Sequence, residues 1–220
     1  MRHFDEIYSL AADRHGGPDA LAAKLTKPKS VTELAAMPDD RWLSIITKTV
    51  FQAGFNWKVI ENKWDGFETA FDGFDVGRCA FMDDEKFDAL LQDTRIVRNG
   101  TKIAAVRDNA TFLLELRDEG GAGQVLGSWP STDYIGLLAM LGKRGSRLGG
   151  ASAQYAMRFA GRDSFILSRD VTARLIAEGV IDKPATSKKA MTAVQEAFNT
   201  WMDQSGRSLT EISRVLAMSL

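Results

Sequence analysis

The sequence predicts an all-α protein. Apolar residues recur at steps of three and four, alternating strand patterns of useful length are almost absent, and capping residues stand ahead of the apolar runs. Residues 7–25 read as a helix pair broken at Gly16, Gly17 and Pro18, and a second segment starts at Thr32, after Ser30. Pro38, Asp39 and Asp40 restart the chain as a long helix near Arg41, in which Trp42, Ile45, Ile46, Val50 and Phe51 form one buried stripe. After Gly54 a new helix carries Trp57, Ile60 and Trp64 and runs on to Phe67, Phe71 and Phe74. Residues 82–92 and 103–116 are amphipathic, separated by a loop around Asn99 and Gly100. Glycines at 120, 121, 123 and 127 predict a flexible connection that Pro130 ends. Ser131, Thr132 and Asp133 stand where they cap a helix over 134–141. The last helices are 171–178, 188–202 and 208–218, with 182–186 as a linker, for about ten helices in all.

Composition narrows the class. A chain of 220 residues, 45% of them hydrophobic and 26% charged, is long enough to bury a full core. No apolar run approaches the ~20 residues of a membrane helix, and MRHFDEIYSL is too polar for a secretion signal. A cytoplasmic protein without a membrane partner is expected. The single cysteine, Cys79, excludes an internal disulfide and a cysteine-rich metal cluster. With only His3 and His15 as imidazoles, no zinc or other metal is expected. A net charge of −1 provides no global attraction to nucleic acid, so any such role rests on local charge. Lys143, Arg144, Arg147, Arg158 and Arg162 supply one locality, opposed nearby only by Asp163, although on charge alone a solvated helix face is the favoured reading.

The most specific pattern is LGKRGSRLGGASAQYAMRFAGRDSFILSRDVTARL (residues 141–175), in which a glycine-punctuated basic hairpin precedes Asp170, twenty positions after Gly150. Gly145, Gly149 and Gly150 let the backbone approach another molecule closely, and free amides at the start of the next helix suit a phosphate. Asp170 then stands one helix further on. Its simpler role is the N-cap of the helix over 171–178.

Helix, glycine hairpin, helix and then aspartate resembles the helix-hairpin-helix superfamily of DNA glycosylases. Within it, VFQAGFNWKVIENKW (50–64), FETAFDGFD (67–75) and LLQDTRIVRNGTKIAAVRDNA (90–110) resemble the DNA-3-methyladenine glycosylase I family. The resemblance spans about residues 41–180 and implies a two-lobed helical bundle of the helix-hairpin-helix DNA glycosylase type. Residues 41–170 would form a helical barrel containing the hairpin, and residues 1–40 with 171–220 a second lobe. The implied function is base-excision DNA repair by a monofunctional hydrolase, which flips alkylated purines such as 3-methyladenine out of double-stranded DNA and cleaves their N-glycosidic bond. A monomer suits an enzyme that embraces duplex DNA. A catalytically inactive lesion-binding protein on the same scaffold is the alternative, and a helical protein-interaction module a third reading.

Three departures from the family pattern bear on this. The positions of the family's C-terminal zinc ligands hold Asp170 and Arg174, so zinc is not expected. The family's base-reading glutamate falls on Thr49. Asp170, unlike the residue usual in the zinc family, matches the catalytic aspartate of other superfamily members. The position of the lysine that forms an imine in bifunctional members holds Ser152, which cannot form one. The resemblance thus implies Asp170 as the catalytic carboxylate. Thr49, Gln52, Phe55, Asn56 and Trp57 would form the base pocket and wedge, with Tyr8 added from the N-terminal segment. Gln52 and Phe55 are both long enough to fill the gap left by an extruded base, whereas Trp57 is equally well read as a core aromatic. Lys143, Arg144, Gly145, Arg147, Gly149, Gly150 and Ser152 would hold the DNA backbone, with no cofactor beyond a monovalent cation that the hairpin could take. Arg95, Arg98 and Lys102 either touch that backbone or are solvated.

Overall fold

The computed structural model describes all 220 residues, and they form fifteen α-helices and two 3-10 turns with no strand. In chain order these are α1 (Phe4–Arg14), α2 (Pro18–Ala22), α3 (Val31–Ala35), α4 (Asp39–Gln52), α5 (Trp57–Asn62), α6 (Trp64–Ala70), α7 (Val76–Ala80) and α8 (Asp84–Gln92). They continue as α9 (Gly100–Arg117), α10 (Ala122–Ser128), α11 (Tyr134–Arg144), α12 (Ala151–Ala160), α13 (Arg169–Ala177), α14 (Lys188–Ser205) and α15 (Leu209–Met218). The five beyond the expected ten are mostly pieces of one or two turns, too short to carry a periodic signal. None of the helices is long and apolar enough to cross a membrane.

The chain folds into two compact units. The larger comprises Ser30–Trp129 and Leu137–Ala160, the smaller Met1–Lys29, Pro130–Gly136 and Gly161–Leu220. These limits lie after residues 29 and 160, earlier than the expected 40 and 170. Leu34 of α3 is fully buried and packs on α10, which carries residues 31–35 into the larger unit. The Lys29 N–H donates to the Gly161 carbonyl (2.9 Å), which closes the smaller one.

In the larger unit, α4 and α9 pack together, with α7 against α9 and α12 against α4. The α4 stripe buries Trp42, Ile46, Val50 and Phe51 as expected, while Ile45 is half-buried and lines a cavity. The glycines after residue 120 do not form a flexible connection. Gly121 takes φ 92° to start α10, and Gly123 and Gly127 lie inside that helix. A Cβ at Gly123 would stand 2.5 Å from the Leu34 carbonyl oxygen, and one at Gly127 2.7 Å from Leu34 Cβ. The glycines are there because α3 and α10 touch backbone to backbone.

In the smaller unit, α1, α13, α14 and α15 surround Phe4, Ile7, Leu175, Phe198, Trp201 and Ile212. Glu178 is buried at its centre, taking hydrogen bonds from the Arg2 backbone N–H (2.9 Å), Arg2 Nη1 (2.7 Å) and Arg174 Nη1 (3.2 Å). Arg174 also donates to the Ser219 hydroxyl and carbonyl, which ties the N-terminus, α13 and the C-terminus together. The cap of α13 is Ser168, whose Oγ accepts from the Val171 N–H (3.2 Å). Asp170 therefore is not the N-cap; it stands exposed in the first turn.

Two consequences are measurable. Gly123→Ala should cost about 1–3 kcal/mol, because the added methyl forces α3 away from α10; a melting temperature equal to that of the parent would refute the backbone contact. Burial pushes the Glu178 carboxyl up, but the hydrogen bonds from Arg2 and Arg174 outweigh it and hold the group below its ordinary 4.5. A depressed folded pKa stabilises above the unfolded value and is lost as pH falls through the folded one. Glu178→Gln should thus cost about 3 kcal/mol near pH 7, with the deficit shrinking below pH 4.5. Denaturant melts at neutral and acid pH would show it, and a pH-independent deficit would contradict it.

Candidate functional site

The site is built at the C-terminal end of α4. The last carbonyls of a helix lack intrahelical partners and carry the negative end of its dipole. Here Lys102, only 5% exposed, supplies the missing donor: its Nζ bonds the Phe51 carbonyl at 3.1 Å and the Ala53 carbonyl at 2.7 Å. The same ammonium lies 5.2 Å from the Phe55 ring centroid and 5.9 Å from that of Phe51. Burial lowers the Lys102 pKa, and the neighbouring Arg147 charge lowers it further. Gly54 then turns the chain at φ 71°, and Asn56 caps α5 through Oδ1, which accepts from the Lys58 N–H (3.0 Å). Phe55, at the tip of this turn, is 44% exposed.

Behind the turn lies a cavity of about 330 Å³. Thr49, Gln52, Ala53, Gly54, Phe55 and Trp57 form one side of it, and Ala151, Ser152 and Tyr155 of α12 the other. Trp57 is 39% exposed, so it is a wall of this cavity and not a core residue. Its ring meets Tyr155 edge-on at 5.2 Å and Phe159 at 5.8 Å. Thr49 is buried, its Oγ1 donating to the Ile45 carbonyl (2.9 Å). Gln52 is 3% exposed and anchored in the last turn of α4, so it cannot enter a base stack as a wedge. Its Oε1 is buried without a hydrogen-bond partner.

The expected hairpin joins α11 to α12. Gly145 is required by space, since a Cβ there would stand 2.8 Å from the Leu141 carbonyl oxygen. Arg147 (φ 58°) and Gly150 (φ 57°) make the left-handed turns. The buried Asn109 side chain of α9 clamps the loop from below, accepting from the Ser146 N–H (2.8 Å) and donating to the Ser146 carbonyl (3.0 Å). Arg147 is exposed, with Thr101 Oγ1 at 3.4 Å. Arg147, Gly149 and Ser152 border a further depression beside Val50 and Ala53. Ser152 thus belongs to both the aromatic cavity and the hairpin surface.

Other expected residues have different surroundings. Arg144 is paired with Glu119 (2.7 Å) and Glu115 (3.5 Å) and lies over the Phe112 ring, so its charge is already answered within the protein. Lys143 is exposed. Arg95 forks onto Asp93. Tyr8 and Asp170 belong to the smaller unit and are not in the cavity lining. Tyr8 donates to the Pro18 carbonyl (3.2 Å) beneath the Arg207 guanidinium, 4.7 Å from its ring. Lys102, expected on the DNA backbone or in solvent, is instead buried, and Asn109 is absent from the expected site, yet helical spacing carries the signal. With Val106 and Leu113 they form one buried stripe of α9, where a lysine and an asparagine need polar partners. Tyr155 and Phe159, four apart on α12, share a face in the same way.

Lys102→Met keeps the length of the side chain but leaves two carbonyls at the end of α4 unanswered. A loss of about 1–3 kcal/mol is expected, with altered tryptophan fluorescence as the turn before Trp57 loosens. Unchanged stability and emission would mean that the ammonium does not hold the turn.

Residues 35–128 match the model of the methyladenine glycosylase family. DNA-3-methyladenine glycosylase 1 of Escherichia coli (strain K12) is 33% identical over 69 residues, a stretch that covers 31% of this chain and 37% of that protein. The chain thus spans little more than a third of this relative's length. Among solved structures, a variant of 3-methyladenine DNA glycosylase I in complex with 3-methyladenine superposes with a TM-score of 0.53 at 18% identity, over 70% of this chain and 91% of the other. A mutant of the Staphylococcus aureus 3-methyladenine DNA glycosylase I has a TM-score of 0.51 at 18% identity with the same coverage. Residues 35–128 of the chain are thus similar to the methyladenine glycosylase family, and the chain has the all-helical fold of these solved structures.

Proposed function

We propose that this protein is a monofunctional DNA repair glycosylase that hydrolyses the N-glycosidic bond of alkylated purines rotated out of double-stranded DNA. The observation that supports this best is a juxtaposition within the larger unit. An exposed aromatic at the tip of a turn, Phe55, an aromatic cavity between Trp57 and Tyr155, and the glycine hairpin converge around Ser152. Extrusion of a base leaves a gap that an apolar side chain must fill, a slot that must receive the base, and a backbone that must be gripped. Phe55 is the wedge in this reading, Trp57 and Tyr155 are the slot, and the hairpin amides with Arg147, Lys143 and Ser152 are the grip. Thr49, Gln52 and Asn56 shape the pocket floor and its turn.

Bond cleavage leaves positive charge on the sugar, and the exposed Asp170 carboxylate is the group assigned to stabilise it. It accepts a proton from the attacking water as the water oxygen bonds C1′ and the base departs with the electron pair. Ser152 offers no amine for an imine, so the strand stays intact. In this reading the larger unit carries the pocket, and the smaller unit carries Tyr8 and Asp170. The protein acts as a monomer in the cytoplasm.

Base release from methylated duplex DNA, followed by chromatography, tests the reading. Asp170→Asn should lower the rate by about 100-fold or more while leaving the melting temperature unchanged, since the residue is exposed. An unaffected rate would remove Asp170 from the mechanism. No release of any base by the parent, with retained preference for lesion-bearing DNA, would identify a lesion-binding protein without catalysis.

A further inference from the structure

A second cavity, of about 270 Å³, shares Gln52 with the aromatic one. Ile45, Lys48 and Gln52 of α4, Glu61 of α5 and Phe159 of α12 line it. Aromatic walls join the two as well: the Trp57 ring, on the first, meets the Phe159 ring, on the second, at 5.8 Å. Trp57 and Glu61 stand four residues apart on α5, so they share a face of that helix, with Cβ atoms about 5–6 Å apart.

Glu61 is the one carboxylate on the linings of these two cavities and of the depression beside the hairpin. Other acids of the larger unit are already answered: Glu68 holds Arg41, Asp72 holds Lys86 and Asp93 holds Arg95. Glu61 is exposed and has no such partner. The Lys48 ammonium on the same lining lies over the face of Trp64, 5.1 Å from the ring centroid. Lys102 is bonded to the Ala53 carbonyl behind the aromatic cavity, and Arg147 borders the depression. Without Glu61, every charge on these linings would be positive and would repel a cationic base.

We propose that Glu61 is a specificity-determining residue of the pocket, and that its carboxylate is the counter-charge that admits purines made cationic by alkylation. A base seated against Trp57 meets an aromatic ring that attracts positive charge and, one turn along the same helix, a carboxylate that does so more strongly. Duplex DNA lying over the exposed Glu61 displaces water from between the two charges, which strengthens their attraction. The inference rests on the glycosylase reading above and assigns that site a further residue.

The test sets single-turnover release of 3-methyladenine, which is cationic in DNA, beside affinity for a duplex carrying tetrahydrofuran, an abasic analogue with neither base nor positive charge. Glu61→Gln keeps the shape of the side chain and removes its charge. Release should fall about tenfold or more, while affinity for the baseless duplex is unchanged and Glu61→Asp recovers part of the rate. A folded Glu61→Gln variant with the parent's rate overturns the inference and leaves the glycosylase reading intact. An equal loss of release and of affinity for the baseless duplex overturns it too, because the missing charge would then act on the grip and not on the base. Should Glu61→Gln fail to fold, as circular dichroism would report, Lys48→Met removes the opposing charge and should raise release; a rate at or below the parent's overturns the inference. Parent activity on ethenoadenine, an uncharged alkylated purine, with none on 3-methyladenine has the same meaning. Release of neither base, with none from a broader panel of lesions, removes the glycosylase reading itself and the inference with it.

Discussion

The site depends on one buried ammonium. A helix that ends beneath a cavity has carbonyls it cannot show to water, and an unanswered carbonyl there costs about as much as a lost hydrogen bond. Lys102 answers two of them, at Phe51 and Ala53. The ammonium accepts its loss of hydration because carbonyls, the negative end of α4 and the faces of Phe51 and Phe55 replace the water. One contact therefore ends α4, directs the turn at Gly54 and supports the exposed Phe55. It also joins that turn to α9, whose Asn109 holds the hairpin through Ser146. Two side chains of one helix thus set the positions of both functional loops.

Close backbone approach is the second theme of the larger unit. Gly123 and Gly127 admit α3, Gly145 admits the Leu141 carbonyl, and a Cβ on Gly66 would stand 2.6 Å from the Arg95 carbonyl oxygen. Where side chains are absent, short helices of five to seven residues pack without the long interfaces that usually stabilise a helix. The aromatic group of Trp64, Phe67, Phe71 and Phe74 fills the remaining space with parallel rings at 5.1–6.2 Å, and Lys48 covers its outer face. The smaller unit uses polar closure instead. Glu178 gathers Arg2 and Arg174, and the Asp163 carboxylate accepts from the Thr210 N–H (2.9 Å) at the start of α15.

The helical class, the long helices α4, α9, α14 and α15, and the glycine hairpin were legible in the sequence because each depends on local chemistry: three-and-four spacing, caps, and residues that permit positive φ. The resemblance to the glycosylase family, and not these local rules, pointed to Trp57, Phe55 and Ser152, which stand on one turn and one helix start. Local rules misjudged the glycines after residue 120, because glycine loosens an isolated chain but admits a neighbour in a folded one. They also offered Gln52 as a wedge and Arg144 as a phosphate ligand, since reach and charge are visible in a sequence while burial and existing partners are not.

What the sequence determined by itself is therefore the set of elements and the residue types at their ends. Tertiary structure alone decided that Lys102 faces inward, that Tyr155 lines the cavity, and that Gln52 is sealed with an unpartnered oxygen. The physical reason is the same in each case. Hydrogen-bond partnership and desolvation depend on groups that are distant in the chain, as Lys102 lies about fifty residues from the carbonyls it holds. No local pattern records that distance.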